Sequence, residues 1–186
     1  MENQTNESSS VQGGTENNVS GEVIHVEQSS VNTINASNVT MRQAAAQTVT
    51  ADQVVVRQGG LAKVKTENLE VTQGGIGFVQ TGHARLTSSR AGVVVAGSEV
   101  YMDLSSAKVL VAGGEVKIDQ SATVVMVGNT IRAQNSPIVF LFARNVEGNV
   151  ATTFGPQESI IFGAAAGLVA GAVLLLGNLF RRRRRK

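Results

Sequence analysis

A chain of 186 residues without cysteine excludes disulfides and thiolate metal centres. Tryptophan is absent and tyrosine occurs once, which disfavours clefts that stack sugars or nucleobases. The formal charge of +2 misleads: six of the 16 Lys and Arg residues form the run Arg181, Arg182, Arg183, Arg184, Arg185 and Lys186, and the rest of the chain is slightly acidic, with no basic stripe to follow nucleic-acid phosphates.

Residues 1–18 are polar and low in complexity, and are expected to be disordered because they cannot bury enough surface to offset ordering entropy. No apolar h-region stands near Met1, so no signal peptide is expected.

Over 19–153 a fifteen-residue beat appears. One series runs Val19, Ile34, Val49, Val64, Val79, Val94, Val109, Val124, Val139; another runs Val26, Met41, Val56, Val71, Leu86, Tyr101, Val116, Ile131, Val146. Neither contains a strongly polar side chain, and fixed-period self-similarity marks a repeat architecture. A short, valine-rich period predicts an all-β fold, a single-stranded β-solenoid (β-helix) of about nine 15-residue coils. Side-chain alternation sorts each coil. Val64 and Thr66 should point inward, as should Leu69 and Val71. Gln73-Gly74-Gly75 should turn a corner at glycines with φ > 0, and Ile76 should plug the gap.

Two departures from regularity carry the functional reading. The outward column beside the inward valine reads Asn35, Thr50, Lys65, Gln80, then Val95, Leu110, Val125, Phe140, and the column two further on ends in Val127 and Phe142. An outward apolar patch marks a contact surface, so Val95, Leu110, Val125, Val127, Phe140 and Phe142 are the candidate self-association face. The column Ile24, Val39, Val54, Leu69 continues as Ala84, Glu99, Gly114, Asn129 and Arg144, which predicts a local bulge that turns it outward. His25 and His83 fall at outward positions far apart, and the carboxylates are scattered without a facing pair. No metal, cofactor, small-molecule substrate or enzymatic activity is expected from this set.

Residues 154–159 read as a linker broken by Gly155-Pro156. Ile160–Phe180 is apolar apart from Asn178 and long enough for a transmembrane helix, about 31 Å at 1.5 Å per residue. Gly163, Gly167 and Gly171 recur on one face of that helix, a spacing that lets helices pack closely. Residues 181–186 are the basic tail at the membrane end.

Short valine-rich coils beside a polar flank are similar in architecture to bactofilins, cytoskeletal β-helices that polymerise at membranes. The resemblance covers the coil type and the flank only; these coils are shorter, and none of that family's sequence motifs is present. It implies a scaffold with a lipid bilayer and further copies of itself as partners. The expectation is therefore a single-pass, membrane-anchored, self-associating scaffold or spacer with its solenoid on the cytosolic side. The alternative is a surface-exposed adhesin or binding module held by the same anchor.

Overall fold

The structure, a computed structural model, describes residues 8–154. These form β1 (Ser8–Thr87), β2 (Arg90–Ala96), β3 (Val100–Asp103), β4 (Ser106–Ala112), β5 (Glu115–Asp119) and β6 (Ala122–Phe154), with no helix among the described residues. Every pairing between them is parallel. One ladder climbs β1-β2-β4-β6 and a second climbs β1-β3-β5-β6, so β1 and β6 close the ring by winding round its corners. This is a β-solenoid, as the repeat predicts. The registers between separate strands describe about four turns where nine coils are expected; further coils wind within the long strands β1 and β6, as the fifteen-residue spacing of the Gln28, Gln43, Gln58 and Gln73 corners shows. Extended backbone also begins at Ser8, inside the flank expected to be disordered.

Burial shows how a coil is built. Inward residues come in pairs two apart, and successive pairs are three apart: Ile24 and Val26, Ser29 and Val31, Ile34 and Ala36, Val39 and Met41. Three pairs make one circuit, so the coil has three sides. Val64 with Thr66 and Leu69 with Val71 are inward as expected, but Gly74 and Ile76 form a third side and not a corner with a plug. Each rung stacks on its neighbours alone, and burial of a Val, Leu or Ile side chain contributes about 1.5–3 kcal/mol.

One corner per coil holds a residue with positive φ. These are Gln28, Gln43, Gln58, Gln73, Ser88, Leu104, Gln120 and Asn135, so the left-handed position falls on the residue before the expected glycine. Gly59 has a different reason to be glycine: a Cβ there would run into the Ala44 carbonyl oxygen of the coil below. On the outside of this corner the side-chain amides of Gln28, Gln43 and Gln58 each donate to the glutamine one coil on, ending at Gln73, at 3.3, 3.3 and 3.0 Å. The ladder offsets the cost of a left-handed residue that is not glycine. Gln58→Ala, which keeps the strain and loses the ladder, is expected to lower stability by about 1 kcal/mol in a thermal melt, and Gln58→Gly by less.

The fifteen-residue beat breaks after Ala96. The registers Ile76↔Ala91, Ala91↔Ala107 and Ala107↔Thr123 advance by 15, 16 and 16 residues. The additional residue sits in one corner, where Gly97-Ser98-Glu99 replaces the two-residue Gly82-His83. The inward series therefore passes from Val94 to Leu110 and Met126, leaving Val109 half-buried and Val124 46% exposed. The other series passes from Leu86 to Met102 and Ile118, leaving Tyr101 outside. The column that reads Ala84, Glu99, Gly114 by strict period continues as Ala84, Val100, Val116 and Ile131, all buried. The expected bulge is present, but it restores this column to the core instead of turning it outward.

Candidate interaction face

The additional residues re-sort the apolar face. Leu110 is fully buried between Val94 and Met126, so it belongs to the core and not to the outward face. Val95 points outward, and its register partners are Gln80 below and Val111 above; Val111 in turn pairs with Val127. The adjoining corner column is Phe78, Val93, Val109 and Val125. Phe140 and Phe142 lie 15 residues beyond Val125 and Val127 in β6, the spacing at which the Ser121 backbone N–H donates to Ser136 Oγ. Phe142 is 54% exposed, Phe78 37% and Val127 36%, while Val95, Val125 and Phe140 are half-buried. Val95, Val125, Val127, Phe140 and Phe142 thus keep the outward position expected of them, and Phe78, Val93, Val109 and Val111, which the fifteen-residue columns did not single out, lie beside them. Gly163, Gly167, Gly171 and Arg181–Lys186 lie outside the described residues.

Charge is distributed unevenly around the coil. From Gly60 onward, the segments 60–65, 75–82, 90–97, 106–113, 122–128 and 137–143 on the apolar side contain no Asp or Glu. Their only charges are Lys63, Lys65, Arg90 and Lys108, all exposed. Glu67, Glu70, Glu99, Asp103, Glu115 and Asp119 fall on the remaining corners and side.

There a shallow groove of about 310 Å³ is lined by His83, Arg85, Glu99, Tyr101, Glu115 and Lys117 among others. The Arg85 guanidinium lies over the Tyr101 ring, 5.0 Å from its centroid. Glu115 is ion-paired with Lys117 at 3.5 Å and with Arg132 at 2.6 Å, and Arg132 Nε donates to Glu147 at 2.8 Å. The Glu147 hydrogen bond and then the Glu115 charge raise the Arg132 guanidinium above its already high value, so it stays charged at any ordinary pH.

Most of the described buried hydroxyls bond to the backbone: Thr66 Oγ1 donates to the carbonyls of Asp52 and Asn68, and Thr81 Oγ1 to those of Glu67 and His83, whereas Thr123 Oγ1 has no hydrogen-bond partner among the described residues. Asp103 and Asp119 are register partners, yet among the described residues no group of three His, Cys, Asp or Glu side chains could hold a metal ion. No helix of the described residues is long and apolar enough to cross a membrane. No protein-family model matches the chain, and no curated protein or solved structure matches it either.

Proposed function

We propose that this protein is a non-enzymatic scaffold: a rigid β-solenoid held to a bilayer by residues 160–180, with copies associating through the glycine register Gly163, Gly167 and Gly171. The observation that carries the reading is the commitment of polar groups to the wall. The described buried hydroxyls and corner amides bond mainly to the backbone or to their own counterparts in the next coil, an arrangement that supports a rod. The 21-residue apolar run followed by six basic residues supports the anchor. This reading places the solenoid on the cytosolic side.

The mixed-charge groove around Tyr101 favours a second reading, a binding module displayed at the cell surface. Protease added to intact cells separates the two, since a cytosolic solenoid survives and a displayed one is cleaved. Self-association has its own measurement. In detergent micelles the full-length chain should be oligomeric, and Gly167→Leu should return it toward monomer because the larger side chain holds the helices apart. An unchanged oligomer would remove the glycine register from the proposal.

A further inference from the structure

We infer that the apolar edge of the solenoid lies against an anionic lipid bilayer, so that the rod rests along the membrane surface. The inference deepens the scaffold reading and rests on its anchor.

The edge consists of Phe78, Val93, Val109 and Val125 in one column and Val95, Val111 and Val127 in the next, extended by the exposed Phe142. Two occupants compete for such a surface, a second copy and a lipid headgroup layer. Strand spacing and rise give a patch on the order of 300 Å². That is well short of the roughly 800 Å² per partner that a stable interface buries.

Charge points the same way. Lys63 lies 15 residues before Phe78, Lys65 lies 15 before Gln80, and Lys108 is next to Val109 in the middle of the patch. A two-fold pairing about Val109 would bring Lys108 of the two copies together, a like-charge contact with no acidic residue on these segments to relieve it. An anionic headgroup layer meets the same residues favourably: lysines and arginine reach phosphates while the Val and Phe side chains enter the acyl boundary. The wall tolerates this environment because its parallel ladders already satisfy the backbone.

The chain has no cysteine, so one substitution places one label. Full-length protein carrying an environment-sensitive fluorophore on Val111→Cys is reconstituted into phosphatidylcholine vesicles, with or without phosphatidylserine, that contain acyl-chain quencher. A second sample carries the label on Glu70→Cys, on another side of the coil. The Val111 label should be quenched severalfold more than the Glu70 label. The difference should grow with phosphatidylserine and shrink when Lys63, Lys65 and Lys108 are changed to Glu.

Equal quenching at the two positions overturns the inference. So does a Val111 label that ignores lipid quencher but self-quenches as the labelled fraction rises, which makes the edge a seam between copies. Flotation and carbonate extraction of the same vesicles keep the two readings apart. Protein that resists carbonate with an unquenched edge overturns the edge contact alone. Protein that is quenched but extracted overturns the anchor alone, and protein that never floats overturns both.

Discussion

Leu110→Lys is expected to abolish the folded solenoid, whereas Val111→Lys should leave far-UV circular dichroism and the melting temperature nearly unchanged. The two positions are neighbours in β4 and differ only in the side they face. Leu110 is 0% exposed, with Val94 beneath it and Met126 above. A lysine there would need its ammonium among aliphatic side chains with no carboxylate to pair with, at an effective penalty of several kcal/mol. The lost leucine packing adds about 2–5 kcal/mol by itself, which Leu110→Ala should report. Together these approach the entire stability of a typical domain, about 5–15 kcal/mol. At Val111 a lysine extends into solvent and forfeits only strand preference, within about 1 kcal/mol. A folded Leu110→Lys beside an unfolded Val111→Lys would restore the unbroken fifteen-residue period and reverse the face assigned here.

That contrast also locates where the sequence could be read and where it could not. Through Leu86 the inward residues alternate with Asn, Thr, Gln, Lys and Glu, so phase is visible and the assignments of Val49, Val54, Val64 and Leu69 hold. Beyond Ala91 the chain reads Val93-Val94-Val95, Val109-Leu110-Val111 and Val124-Val125-Met126-Val127. With apolar residues on both faces, a slip of one position costs nothing in the pattern, although it exchanges every side chain between core and surface.

In the pattern a period of 15 therefore runs on through coils of 16 and puts the core residue Leu110 outside. The corrective signal was present in the polar residues. Ser89, Ser105, Ser121 and Ser136 are spaced 16, 16 and 15 apart and keep the true register. The three-sided coil was equally legible as pairs of apolar positions alternating two and three apart, a rhythm hidden within the longer one.

The same serines set the second large effect. Each Oγ of Ser105, Ser121 and Ser136 accepts the backbone N–H of the serine one coil below, at 3.1, 3.1 and 3.2 Å. Ser89 Oγ accepts from the Gly74 N–H at 3.2 Å. Each hydroxyl then donates to the carbonyl two residues before it: Thr87, Asp103, Asp119 and Gln134, at 2.7–2.8 Å. The column follows the left-handed corner, where backbone bonds between coils flank it but the N–H groups of Ser89, Ser105 and Ser121 go to hydroxyls, and it lies buried in the interior.

Removing one hydroxyl strands a buried N–H in the coil below, which costs about 1–3 kcal/mol. Ser105→Ala and Ser121→Ala should each lower stability by that amount in a denaturant titration. The double variant should lose more than either, with amide exchange accelerating at Ser89 and Ser105. Ser29→Ala provides the comparison, because Ser29 Oγ donates to the Glu27 carbonyl at this same corner within a segment that carries the glutamine ladder outside. Its loss should be smaller.

The contrast follows from where the two ladders lie. From Gln28 to Gln73 the corner is tied from without by exposed amides, and from Ser89 to Ser136 it is tied from within by buried hydroxyls. The inner ladder runs through the coils that carry the additional residue and the apolar edge. If Ser105→Ala and Ser121→Ala proved as mild as Ser29→Ala, the inner ladder would be incidental, and side-chain stacking alone would hold the corner in those coils.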